Sequence, residues 1–280
     1  MLRQLVVNAD DLGLTVGVND GIFDAHDLGI LTSASLFATA PASADAIRRA
    51  RRRSIGIGVH LALVDGAPTL PARTVPTLVT GDGRFRQSWR PFLAACLQGR
   101  VSLEDVEREL SAQIVRVQAA GIAVTHLDTH KHVHLYPPVF AIVARLAARF
   151  GIAVVRMPYE RGSWMNALLW VWAQQNYRLA ARLGLRTPHF IGRIDTGVLT
   201  RSSLHTMLRS ARPGVTELMV HPGYADEALR RWPTRLVESR LEEVALLCST
   251  ETRALLVGER IQLVRHDLAR TARRSLRHAS

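Results

Sequence analysis

Cysteine is almost missing from this chain: of 280 residues only Cys96 and Cys248 carry a thiol, far apart and in no Cys-x-x-Cys spacing. That excludes a disulfide framework and suits a reducing cytosol. Aromatic residues make up only 6%, too few for an evident base-stacking platform. No apolar run approaches the roughly 18 residues needed to span a bilayer. The first run, Leu5-Val6-Val7, is cut short by Asn8-Ala9-Asp10-Asp11, so no signal peptide is expected and the protein reads as cytoplasmic. Lysine is scarce. The 36 Lys+Arg set against 24 Asp+Glu leave a formal charge of +12, nearly all of it arginine. Such a surface attracts nucleic acid, anionic lipid or acidic metabolites, although an arginine-rich coding bias produces the same balance. Zinc-finger spacing, an RNP-like motif and a recognition-helix signature are all lacking. A basic nucleic-acid-binding protein therefore stands only as the alternative of another class, and no specific nucleic acid is expected.

What the chain does have is 48% hydrophobic residues, ample for a core, in short apolar runs that alternate with helical patterns. The runs 2–8, 32–39, 55–61, 123–129, 153–157, 189–194, 217–221 and 261–264 read as strands. Helical periodicity covers 16–28 (stopped by Gly29), 43–53 (Ser43 as N-cap), 102–120, 137–150, 164–183, 201–211, 234–247 and 250–256. Residues 65–90, rich in Gly, Pro and turn signals, read as a long loop of the kind that usually carries function. Strands alternating with helices mean a parallel sheet covered on both faces. The expected fold is α/β: a single distorted (β/α) barrel over residues 1–264, with an open doubly wound sheet as rival. A basic tail follows at 265–280 (Arg265, Arg270, Arg273, Arg274, Arg277). In either architecture the site is built at the C-terminal strand ends.

The chemistry-bearing residues collect there. Asp10 and Asp11 end the first strand, His60 the third, Arg156 the fifth, and His221 a late one. The densest stretch is Thr125-His126-Leu127-Asp128-Thr129-His130-Lys131-His132-Val133-His134. His126, Asp128, His130, His132 and His134 share one parity, so an extended chain aims them the same way. Singly each has an ordinary explanation: a carboxylate pair caps a helix, and a lone histidine is a hydrogen-bonded core residue. Together at one sheet end they make a metal hydrolase. A carboxylate and two imidazoles hold a divalent cation, a second carboxylate acts as base, a histidine as acid, and an arginine orients the base or binds an oxyanion. Parity alone leaves open which histidine of the cluster binds. A phosphoesterase would use the same ligand types.

Asn8-Ala9-Asp10-Asp11-Leu12-Gly13, Gly58-Val59-His60-Leu61 and the His126–His134 stretch together resemble the YdjC-like carbohydrate deacetylases, which include chitooligosaccharide deacetylases and have a distorted β/α barrel. The resemblance implies a metal held by Asp11, His60 and His130, with Asp10 as base. Arg156 and His221 are the nearest equivalents of the base-tuning arginine and the acid of the broader polysaccharide deacetylases. The cofactor is expected to be one divalent ion, Mg²⁺ or Zn²⁺: Asp with two His suits Zn²⁺, while Mg²⁺, Mn²⁺ or Co²⁺ fit if water fills the remaining positions. Pro41–Ala46, His60–Pro68, Asp82–Phe85 and Val155–Glu160 are similar to a narrower branch associated with hopanoid biosynthesis. That branch implies removal of acetate from an N-acetylglucosaminyl hopanoid; a chitooligosaccharide or other N-acetylglucosamine substrate is the alternative. Independently, Trp164, Trp170 and Trp172 crowd one helix. They suggest a lipid-linked acetamido sugar and peripheral contact with an anionic membrane at its cytoplasmic face, or else ordinary apolar cover for a barrel or a dimer contact.

Overall fold

Among the described residues seven strands form from the apolar runs, and every pairing between them is parallel. The computed structural model describes residues 2–160 and 166–269. The strands are β1 (Arg3–Leu12), β2 (Ser33–Leu36), β3 (Gly56–Leu61), β4 (Val124–Thr129), β5 (His189–Ile191), β6 (Gly214–Val220) and β7 (Ile261–Leu263). The helices are α1 (Val16–Asp27), α2 (Ser43–Ala50), α3 (Trp89–Leu97), α4 (Leu103–Ala119), α5 (Pro137–Arg149), α6 (Asn166–Arg182), α7 (Arg201–Ser210), α8 (Glu227–Arg230), α9 (Ser239–Cys248) and α10 (Thr250–Gly258). Strand order is β4-β3-β2-β1-β6-β5, with β7 beside the start of β1. β1 is central, and its residues from Leu5 to Leu12 are all buried, which is why an almost continuous apolar run was needed there. The sheet curls into a half-barrel covered by helices, in agreement with the expected α/β barrel class.

The fifth expected strand, 153–157, does not form as an element. That stretch makes only isolated parallel bridges, Leu127 to Val155 and Val154 to Arg186, between the β4 edge and the chain before β5. The ladder stops because the Arg156 carbonyl is taken by His134 Nε2 at 2.8 Å and Pro158, next but one, has no N–H to give. Ser43 is not the cap of α2. Ala42 holds that position, and Ser43 Oγ instead donates to the Phe37 carbonyl at 2.7 Å. Ser102 does cap α4, accepting from Glu104 N and Asp105 N, an arrangement worth about 1 kcal/mol.

The 65–90 segment is mainly loop, apart from a short 3₁₀ turn at Ala72–Thr74 and the start of α3, which the sequence reading did not foresee. Buried acids of α4 fasten it. Glu109 accepts from Thr69 N and Leu70 N at 2.7 and 3.1 Å, and Asp105 from Thr77 N and Oγ1 at 3.0 and 2.7 Å. Backbone N–H groups that water would otherwise satisfy are thus paired, and the loop can lie against the sheet end. At the other end of the chain, Arg265 donates to the Ser54 carbonyl at 3.0 Å and pairs with Asp267, while His266 is buried. Arg270, Arg273, Arg274 and Arg277 lie outside the described residues, as does Trp164. Among the described residues no helix is long and apolar enough to cross a membrane.

Candidate active site

Because all strands run parallel, their C-terminal ends share one side of the sheet, and Asp10, Asp11, His60 and Asp128 meet there. β4 keeps its alternation only as far as Thr129. There the chain turns into a 3₁₀ segment, His130–Leu135, in which Lys131 and His132 adopt left-handed backbone (φ 54° and 55°). The histidines sharing one sequence parity are therefore dealt to different places. His126 points into the interior, where its Nε2 lies 3.1 Å from Ser35 Oγ. A side chain at Gly58 would put its Cβ 2.4 Å from that ring, so the glycine is required by packing. His134 turns back to Thr129 Oγ1 (2.6 Å) and the Arg156 carbonyl. His132 borders a cavity beside Asp10, and His130 reaches the strand ends.

Asp11, His60 and His130 each place one ligand atom within 4.8 Å of the others. His60 Nε2 and His130 Nδ1 are 3.3 Å apart, and each is within 3.7 Å of Asp11 Oδ1. The far side of each ring is committed: His60 Nδ1 donates to Asp128 Oδ1 at 2.8 Å, and His130 Nε2 to Asp65 Oδ2 at 3.2 Å. In their neutral forms the two inward nitrogens therefore both carry lone pairs. Two acceptors cannot bond each other, so a proton or a cation between them is what this geometry calls for. The residues fit a divalent metal. Without one, a proton takes the role. Burial lowers the affinity of His130 for it, but hydrogen bonds to Asp11 and Asp65 outweigh burial and push the pKa up to about 9. A second grouping, Asp10, His60 and Asp128, meets the same distance criterion. It is already satisfied internally by Arg156 and by the His60–Asp128 bond.

Arg156 is wholly buried. It grips Asp10 with two bonds of 2.7 Å, reaches Asp128 Oδ2 at 2.8 Å, and donates from Nε to Glu217 Oε1 at 2.7 Å. Its guanidinium is spent on these carboxylates. Burial alone would raise the Asp10 pKa, but Arg156, with smaller help from His60, overrides it and holds the carboxyl well below the ordinary range. Glu217 goes the other way: burial outweighs Arg156 and lifts it to about 7. His221 follows β6 and borders the same cavity as Asp10 and Asp11. Burial pushes its pKa down to about 4, against the pull of Asp11 and Asp10.

Several participants escaped sequence reasoning. Asp65 comes from the long loop, where Asp-Gly reads as a plain turn. Arg240 and Glu243 sit in a charged helical stretch that looks solvated, yet Arg240 Nη2 is 2.5 Å from Asp11 Oδ2 and Glu243 Oε2 accepts from the His221 backbone N–H at 2.5 Å. His266, packed at a tilt against His126 with ring centroids 4.1 Å apart, carries no local signal at all. In the folded chain, left-handed backbone marks the site. Of six non-glycine residues with positive φ among the described residues, Asp11, Asp65, Ser88, Lys131 and His132 border or support the site, where such strain usually concentrates.

These groups form the floor of a cavity of about 610 Å³, a normal size for a small-molecule site. One wall is apolar, built from Trp89, Phe92, Leu93, Tyr136, Leu169 and Trp172. The tryptophans of α6 thus part company: Trp172 faces the cavity against Tyr136, with centroids 5.4 Å apart, while Trp170 is exposed beside Leu168 and Val171.

Comparison with known proteins gives a consistent picture. The family model described as YdjC-like protein matches residues 4–257. A carbohydrate deacetylase of Brevibacillus brevis strain 47 is 34% identical over 267 residues, 93% of this chain and 97% of the relative. A carbohydrate deacetylase of Geobacillus stearothermophilus is 33% identical over 94% of this chain and 97% of its own. Among solved structures, one from Enterococcus faecalis V583, described as a candidate cellobiose-phosphate cleavage protein, superposes with a TM-score of 0.83 at 26% identity, covering 96% of this chain and 100% of that one.

Proposed function

The chain belongs to the YdjC-like protein family, and from that premise and the site geometry we propose that it is a metal-dependent carbohydrate deacetylase, cleaving the N-acetyl group from an acetamido sugar. The observation that carries the reading is the pair of facing imidazole lone pairs, His60 Nε2 and His130 Nδ1, 3.3 Å apart beside Asp11. In this reading Asp11, His60 and His130 hold the cation, with Asp128 and Asp65 fixing the two rings. Asp and two imidazoles suit Zn²⁺; Mg²⁺ fits if water supplies the remaining ligands. When bound, the ion supplies Lewis acidity that polarises an amide carbonyl and makes water easier to deprotonate. Asp10, kept ionised and aimed by Arg156, takes the water's proton. His221, neutral at rest, would gain within the turnover the proton released from water before giving one to the leaving nitrogen. The test is mass spectrometry of candidate acetamido sugars after incubation with the metal-loaded protein. Loss of one acetyl group with release of acetate supports the reading; release of phosphate from a phosphorylated sugar instead would place the protein among phosphoesterases.

The finer substrate in this reading is an N-acetylglucosaminyl hopanoid. The apolar wall of the cavity supports a greasy aglycone, since Trp89, Phe92 and Trp172 offer a sugar few hydrogen-bonding groups. Chitooligosaccharide is the competing substrate. The exposed Leu168, Trp170 and Val171 beside that wall, with the net positive charge, support docking on the cytoplasmic face of an anionic membrane. Flotation with anionic liposomes should recover the wild type and lose most of a Leu168→Ser/Trp170→Ser variant. Equal recovery of both would remove the membrane part.

Metal binding should also depend on pH in a stated direction. The folded metal-free protein holds the His130 proton up to about 9, above its ordinary 6.5. Stability from that proton is full below pH 6.5 and is lost as pH rises through about 9. A cation must displace the same proton, so affinity should rise by about tenfold per pH unit between those values and flatten above. A chelator-competition titration from pH 6 to 10 measures it, and a pH-independent Kd would contradict the assignment of His130.

A further inference from the structure

α9 touches the site at two places, and neither belongs to the ligand, base or acid set. Its first turn carries Arg240, wholly buried, whose Nη2 donates to Asp11 Oδ2 at 2.5 Å and whose Nε donates to the Leu236 carbonyl at 2.9 Å. One turn on, Glu243 accepts the His221 backbone N–H at 2.5 Å. Positions three apart share a helix face, so one face of α9 meets both β1 and the turn after β6. That turn is wedged in place. Gly223 donates its N–H to the Arg240 carbonyl at 3.3 Å, and a Cβ on Gly21 of α1 would lie 2.4 Å from Gly223 Cα. Asp11 therefore has one oxygen taken and one left over. Oδ2 belongs to Arg240, while Oδ1 faces His60 and His130 at 3.7 and 3.6 Å. Its backbone is fixed as well, in the left-handed region at φ 69°.

We infer that α9 is the positioning element of the site. Arg240 restricts Asp11 to binding the cation through Oδ1 alone, and Glu243 fixes the turn that presents His221. The inference rests on Asp11 being a metal ligand. A carboxylate with both oxygens free can close on a cation through two, taking a coordination position that water or substrate needs. A guanidinium on Oδ2 forbids that and holds the carboxylate plane still. Arg240 is a positioning residue, acting through Asp11, and Glu243 acts through the His221 backbone.

The two halves separate by readout. In Arg240→Met the freed Oδ2 should close on Zn²⁺, so that Asp11 binds through two oxygens in a soaked crystal and kcat falls while the Zn²⁺ Kd in chelator competition does not rise; Arg240→Lys, which keeps the charge but not the fork, should lose less kcat. Glu243→Gln should leave that Kd within about twofold of wild type while lowering kcat. Circular dichroism of each metal-free variant establishes that it folds. A crystal of the wild type soaked in Zn²⁺ needs no variant: Asp11 should bind through Oδ1 only, with Oδ2 still on Arg240. One-oxygen binding by Asp11 in a folded Arg240→Met variant, or two-oxygen binding in the wild-type crystal, would overturn the inference while leaving the metal reading intact. If the wild type binds no Zn²⁺, Mg²⁺ or Mn²⁺ at all, it is the metal reading that fails.

Discussion

Arg156→Met is expected to destabilise the protein by about 3–5 kcal/mol, the usual cost of removing one partner from a buried ionic cluster. The guanidinium is wholly buried and is shared by Asp10, Asp128 and Glu217. Without it the carboxylates lose their counter-charge in a low-dielectric interior and must take up protons or admit water. Urea denaturation at pH 7 measures the loss. Two features make the prediction sharp. Glu217, already lifted to about 7 by burial, can neutralise itself cheaply, so the cost should shrink as the pH falls. Asp128 also holds the His60 ring at 2.8 Å, so metal affinity should fall along with stability. A loss under about 1 kcal/mol would mean the cluster is far more hydrated than its burial indicates.

Asp10→Asn should have nearly the opposite profile. The amide keeps the shape of the carboxyl, and Asp128 and Glu217 remain to balance Arg156, so the fold should survive. Asp10 is absent from the Asp11, His60 and His130 triad, so the Kd for metal should stay within a few-fold. What disappears is the group proposed to take a proton from water, and kcat should drop by roughly 10²–10⁴-fold, the range for removing a general base. A variant with near-normal kcat would move the base elsewhere, with His132, which borders the cavity beside Asp10, as the first candidate. Weakened metal binding instead would point to the second grouping, Asp10, His60 and Asp128, as the one that holds the ion.

The contrast between these two residues shows what the sequence could reveal. Asp10, Asp11, His60 and His221 were legible because each stands where an apolar run stops, and parallel strands carry such positions to one end of the sheet. His130 was visible only as one member of a crowded stretch. Its separation from His126, His132 and His134 depends on the left-handed turn at Lys131–His132, which residue types outside glycine do not announce. Arg156 stood out as a strand-end arginine. That it would serve three carboxylates rather than substrate follows from tertiary burial, not from local pattern. Arg240 and Glu243 were illegible for a plainer reason: a charged helix reads as solvated until something packs over it, and here the turn after β6 does so. The same limit explains the fifth strand. The run at 153–157 has the right residues, but its hydrogen bonds are claimed by His134 and broken at Pro158.

One titration bears most directly on the proposal that Asp11, His60 and His130 share a single cation. Metal is stripped from the wild-type protein and returned in small steps, with bound metal and acetate release from an N-acetylglucosamine substrate followed together. The expected result is no turnover at zero metal, a linear rise that saturates near one ion per chain, and loss of both signals in His60→Ala. Undiminished acetate release from the stripped protein, or a His60→Ala variant that binds the ion as tightly as wild type, would contradict it.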